Sequence, residues 1–142
     1  MVGLTNVSSG KADPTAQPVL FFYGQQSSTA TTPPPTRRRY SCNSEYFTYE
    51  DGEFTVVKNF SGLIYLFGLS SRNSSGQDNT LTLRFRVNGT STYDTNGTIN
   101  VMSSVSGIAH NFVAGDVISV TGNQSRGGTV WCSVGMVVTL DS

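Results

Sequence analysis

The segment Leu81-Thr82-Leu83-Arg84-Phe85-Arg86-Val87, followed at once by Asn88-Gly89, restricts this chain to a β fold more sharply than anything else in it. Successive side chains of an extended strand point to opposite faces, so Leu81, Leu83, Phe85 and Val87 share one face and Thr82, Arg84 and Arg86 the other. Asn-Gly is the favoured pair for a two-residue type I′ turn, because both positions need positive φ. The segment therefore predicts a half-buried strand entering a hairpin. Nowhere does an apolar period of 3.6 residues last for ten positions, so no substantial helix is expected.

Similar signals recur from Tyr40 onward. Tyr40 to Tyr49 is aromatic and polar, and Asp51-Gly52 is a turn before the alternating Glu53-Phe54-Thr55-Val56-Val57. Phe60-Ser61-Gly62 reads as a turn into Leu63-Ile64-Tyr65-Leu66-Phe67-Gly68-Leu69, whose near-continuous apolar character predicts a strand buried on both faces. A second turn is expected at Asn96-Gly97, then strands at 98–102 and 108–112, a turn at Ala114-Gly115-Asp116, and a strand at 117–120. Gly127-Gly128 opens the last strand, in which Val130, Cys132, Val134, Met136, Val138 and Leu140 share a face. About eight strands in some hundred residues predict a two-sheet sandwich or jelly roll.

The first forty residues read differently. One apolar patch, Val19-Leu20-Phe21-Phe22-Tyr23, sits in polar sequence, and Pro33-Pro34-Pro35 then runs into Arg37-Arg38-Arg39. A triple proline cannot join a sheet interior. Residues 1–39 are therefore expected to form an extended N-terminal arm and residues 40–142 the folded domain. The patch either adds a strand to the domain's own sheet or docks on another protein.

Charge narrows the function. Nine basic and nine acidic residues, 13% charged in all, supply no basic excess for phosphate neutralisation, so nucleic acid is not an expected partner. No run approaches the roughly 18 apolar residues of a membrane helix, and residues 1–10 show no secretory leader. Cys42 and Cys132 are then expected as free thiols, at least one of them buried. Six Asn-X-Ser/Thr sites occur, but Asn88 and Asn96 are already explained by Asn-Gly turns. His110, the single histidine, is expected at the sandwich rim. There is no Gly-x-Ser-x-Gly elbow, too few ligands for zinc and no phosphate-binding glycine loop, while Glu50-Asp51-Gly52-Glu53 reads as a solvated turn. Neither catalysis, nor a metal, nor a cofactor is expected.

Three segments resemble the C1q/tumour-necrosis-factor-type jelly roll. Gly52-Glu53-Phe54-Thr55-Val56, leading through Gly62-Leu63-Ile64-Tyr65-Leu66-Phe67, is similar to the family's Phe-Thr-Val and Gly-x-Tyr-x-Phe signature. Phe112-Val113-Ala114-Gly115-Asp116-Val117-Ile118-Ser119-Val120 is similar to its Ala-Gly-Asp segment. Val130–Leu140, with Gly135 at its middle, resembles the glycine-containing last strand. The resemblance covers roughly residues 40–140 and implies an all-β, C1q/TNF-like jelly-roll sandwich that forms a homotrimer. Tyr65, Phe67, Phe85, Trp131 and Met136 are the expected core and trimer residues.

Two roles fit these expectations. One is a structural protein on a bacteriophage particle, a trimeric capsid decoration or head-fibre protein on the virion surface. It would hold a capsid protein through Val19, Leu20, Phe21, Phe22 and Tyr23 and through Arg37, Arg38 and Arg39. The other is a receptor- or glycan-binding tail-fibre tip, or a cell-surface C1q-like ligand-binding module, that uses the loops Ser70–Asn79 and Gly122–Gly128.

Overall fold

The computed structural model describes residues 18–28, 31–32, 37–70, 75–76, 81–97, 103–104, 107–124 and 130–141. Among them the chain is built of strands: β1 (Leu20–Ser28), β2 (Thr31–Thr32), β3 (Arg37–Cys42), β4 (Phe47–Glu50), β5 (Glu53–Val56) and β6 (Phe60–Ser70), then β7 (Leu81–Val87), β8 (Thr90–Gly97), β9 (Ser103–Ser104), β10 (Ile108–Phe112), β11 (Val117–Gln124) and β12 (Val130–Leu140). All their pairings are antiparallel.

The first sheet runs β10-β6-β12-β1-β3, with β9 beside β6, and the second β4-β5-β11-β7-β8, with β2 beside β11. After the β4–β5 hairpin the chain crosses to β6, returns to β7 and β8, and then alternates between sheets through β10, β11 and β12. Consecutive segments thus end in facing layers. This strand order is that of a jelly-roll β-sandwich.

Alternation explains the core. Along β7 the even positions are half-exposed while Leu81, Leu83 and Phe85 are buried. Val87 packs at the core's margin instead of inside it. From the facing sheet come Leu20, Phe22, Ile64, Leu66, Cys132, Val134, Met136 and Val138. Phe47 meets Phe54, Phe60 and Phe112 edge to face with ring centroids 5.6–6.2 Å apart, the favoured aromatic geometry. Cys42 and Cys132 are both free thiols, and burial raises the Cys132 thiol to about 12, so it stays protonated and packs as a small apolar group.

The turns follow their residues. Asp51-Gly52 and Asn88-Gly89 have φ of 50° and 88°, and 52° and 84°, as a two-residue hairpin requires. Asn88 also accepts a hydrogen bond from the Val117 amide (2.9 Å) and donates to Asp116 (3.1 Å), which ties the β7–β8 turn to the Ala-Gly-Asp segment.

Four expectations are corrected. Residues 1–39 are not an arm throughout: β1 lies between β12 and β3 in the first sheet, with Leu20 opposite Val138 and Cys42. Its apolar residues Leu20, Phe21, Phe22 and Tyr23 make a strand with two apolar faces, and that strand needs the interior of a sheet; Pro33–Pro35 lie outside the described residues. The run Leu63–Leu69 is buried on one face only over residues 63–67, Ile64 and Leu66 inward and Leu63, Tyr65 and Phe67 half-exposed, and among the described residues no third layer covers the first sheet. Phe60-Ser61-Gly62 opens β6 and is not a turn: β6 pairs with β10 there, and a Cβ on Gly62 would meet the Thr139 carbonyl at 2.9 Å. Asn96 and Gly97 pair with Thr82 and Leu81, so β8 runs through the position where a turn was expected, its register shifted by one residue at a bulge opposite Phe85 and Arg86.

Leu20→Ala should lower unfolding stability by about 2–5 kcal/mol in urea denaturation. Were Leu20 part of a separable arm, the midpoint would not move.

Candidate interaction surface

Every second residue of the central strands β1, β12 and β6 points away from the core. On the outer face, one cross-strand row joins Phe21, Val137 and Tyr65, and the next joins Tyr23, Gly135 and Phe67. Phe21 is 37% exposed, a large value for a phenylalanine on a central strand. Gly135 makes room for a ring: a Cβ there would lie 2.2 Å from the tip of Phe67, whose side chain therefore lies flat across β12. The ring of Phe67 is stacked with Phe21 at 6.3 Å and Tyr23 at 6.5 Å, with planes 23° and 9° apart. Tyr23 and Ser133 are fixed together by a 3.2 Å hydroxyl–hydroxyl hydrogen bond. The result is an aromatic plateau in which Phe21 is exposed and Tyr23, Tyr65 and Phe67 are half-exposed.

Beside the plateau, β3 brings its arginines to the sheet's edge. Arg37 pairs with Gln25, Arg38 with Gly24 and Arg39 with Tyr23. Tyr23, Gln25 and the three arginines line a cleft of about 360 Å³. Arg38 donates to Asp51 at 2.6 Å, linking β3 to the β4–β5 turn of the other sheet. Exposed pairs of this kind contribute at most about 1 kcal/mol. Tyr40 closes the same end by stacking on Tyr49 at 3.7 Å.

The expected site residues are thus divided. Of the arm's apolar five, Val19, Leu20 and Phe22 are buried in the chain's own core and not offered to a partner, while Phe21 and Tyr23 face outward. Of the expected core and trimer residues, Phe85 and Met136 are interior, Tyr65 and Phe67 belong to the plateau, and the Trp131 side chain lies outside the described residues. The loops 70–79 and 122–128 lie mostly outside them too. What sequence reading missed is that Phe21, Tyr23, Gly135 and Phe67 meet. The signal was there: two segments apolar on both faces, and one strand with a glycine at its centre.

His110 lies in β10, with its ring edge-on to Phe85 at 5.3 Å and Phe112 at 4.6 Å. Burial lowers its pKa below the ordinary 6.5, and the Asp116 charge partly offsets this. Among the described residues no group of three or more His, Cys, Asp or Glu is placed to hold a metal ion.

No protein-family model matches the sequence. No curated protein matches it either. Among solved structures, GITRL from bushbaby is similar at 15% identity over 88% of this chain and 96% of its own, with a TM-score of 0.45. GITRL from pika is similar at 13% identity over 77% of this chain and 95% of its own, with a TM-score of 0.43. The fold assignment rests on the strand order and not on these likenesses.

Gly135→Ala should force Phe67 off β12, at a cost of about 1–3 kcal/mol, and remove the ring-current shifts of its neighbours in proton NMR. For His110 the lowered folded pKa means that the unfolded chain takes up the proton first. Stability is therefore full above about pH 6.5 and falls as pH drops through the lower folded value. Denaturation midpoints at pH 7.5 and 5.0 should differ more in the wild type than in His110→Gln.

Proposed function

We propose that this chain is a non-enzymatic binding module of the C1q/TNF-like kind that works as a homotrimer, with the plateau of Phe21, Tyr23, Tyr65 and Phe67 packed against identical copies. The sequence resemblance to that family and the jelly-roll strand order support this reading together. The single observation that carries it is the aromatic plateau itself. Strands β1 and β6 are apolar on both sides, and among the described residues one side has no covering layer. Burying such a face is worth roughly 25 cal/mol per Å², and subunit contacts of permanent oligomers bury about 2,000 Å² or more with apolar centres. With one sheet face given to neighbouring copies, ligand recognition falls to the sandwich ends and edges.

A place on a virion surface has less support. The segment expected to grip a capsid protein contributes Val19, Leu20 and Phe22 to the core, which leaves Phe21 and Tyr23 of its five apolar residues to face outward.

Sedimentation equilibrium tests the reading. The wild type should have a mass near three times the 15.2 kDa of one chain. Phe67→Glu should sediment as single chains while keeping its β-sheet circular dichroism. A wild type that remains a single chain at micromolar concentration, or a Phe67→Glu protein of undiminished mass, would overturn it.

A further inference from the structure

The β7–β8 turn carries a reaction that its own residues can perform. Glycine has no side chain to shield its backbone nitrogen, so in an Asn-Gly pair that nitrogen can attack the asparagine side-chain carbonyl carbon. The new N–Cγ bond closes a succinimide ring, the Cγ–Nδ2 bond breaks, and ammonia leaves with the proton from the glycine nitrogen. Water then opens the ring at either carbonyl, which gives aspartate or isoaspartate. Asn88-Gly89 is such a pair, exposed at the tip of its hairpin. Yet the fold holds it against ring closure. Asn88 Oδ1 accepts from the Val117 amide at 2.9 Å, and Nδ2 donates to Asp116 Oδ1 at 3.1 Å. The Asn88 amide donates to the Val117 carbonyl at 2.7 Å, and the Gly89 carbonyl accepts from Arg86 at 3.0 Å. To reach the Gly89 nitrogen, the Asn88 side chain must swing away from both Asp116 and Val117.

We propose that Asn88 is a deamidation site gated by its tie to Asp116 and Val117, and that its conversion is a one-way record of that tie opening. The reaction needs only water besides the chain itself, and it does not depend on whether copies associate. An aspartate at position 88 sets a second carboxylate against Asp116 where an N–H donor stood, and the two like charges repel. An isoaspartate adds a methylene to the backbone of a two-residue turn whose φ values are fixed at 52° and 84°. Neither product remakes the tie. The loss reaches past the hairpin, because the same segment also holds β5. The Asp116 carbonyl accepts from the Val56 amide at 2.9 Å, and the Gly115 amide donates to the Val56 carbonyl at 2.8 Å. Asn96-Gly97, the second Asn-Gly pair of the chain, lies within β8 opposite Thr82 and Leu81 and serves as an internal comparison.

The test is to incubate the full chain at neutral pH and follow conversion at Asn88 by mass spectrometry, with fragment ions separating it from Asn96. Enzymatic methylation of isoaspartate confirms the ring-opened product. The chain unfolded in guanidinium chloride gives the ungated rate, and the native chain should convert at least tenfold more slowly. A hydrogen bond to a carboxylate changes an opening equilibrium by about tenfold or more. Asp116→Ala should therefore speed conversion about tenfold, and Asp116→Asn, which keeps a neutral acceptor, should speed it less. Leu20→Ala weakens the whole fold from the core and should leave the native rate unchanged, which separates local from global opening. Circular dichroism of each variant establishes that it is folded under the conditions used. Asn88→Asp should melt below the wild type. Native conversion as fast as in the unfolded chain would overturn the proposal, as would a folded Asp116→Ala protein that reacts no faster. Equal acceleration by Leu20→Ala and Asp116→Ala would also overturn it, since global unfolding would then be the gate. An Asn88→Asp protein with the wild-type melting temperature would do the same for the one-way loss.

Discussion

The pairing of β12 with β1 on one edge and β6 on the other is the constraint from which the rest follows. It brings two strands with apolar residues in both phases of the pleat, β1 and β6, to either side of β12 in the middle of one sheet. The inward phase of the three supplies Leu20, Phe22, Ile64, Leu66, Met136 and Val138 to the sandwich core. Their outward phase cannot also be buried by the facing sheet. The aromatic plateau is thus the geometric remainder of a sheet whose centre is apolar twice over, and Gly135 lets the remainder lie flat.

Much of this was legible in the sequence. The β7 alternation, the turns at Asp51-Gly52 and Asn88-Gly89, and the shared face of β12 rest on local rules, side-chain period and the φ that a turn demands, and those rules act over a few residues. The jelly-roll class could be read for the same reason. For the patch at residues 19–23 a strand in the domain's own sheet was one of two readings, and the pairing bears it out, whereas residues 24–39 read as a linker. Polar Gln25 and Gln26, the tripled proline and the three arginines imitate a linker by composition, while the partner that makes this segment a strand lies more than a hundred positions away. Register is a long-range property, and a pattern of one strand does not name its neighbour.

The candidate surface failed to show itself for a related reason. Arg37–Arg39 looked like a charge run because adjacency in sequence was the only relation available. In the sheet, Arg38 turns to Asp51 while Arg37 and Arg39 take the opposite side with Tyr23 and Gln25. A strand sorts three consecutive like residues into two environments, a structural one and an exposed one. The same sorting divided Val19–Tyr23 between core and plateau. Phe47, Phe54, Phe60 and Phe112 show the reverse case, in which residues far apart in sequence form one interlocked set of rings.

The contact between Tyr23 and Ser133 spans 110 positions. Native pairings over such separations close large loops before they gain anything in return, and proteins dominated by them fold in milliseconds to seconds instead of microseconds. During synthesis β6 emerges long before β12, so its greasy outer side and its unfilled edge wait in water together. A chain of this topology is most prone to sticking to itself while it is still incomplete, and the speed with which its last strand arrives governs how much of it survives to the native state.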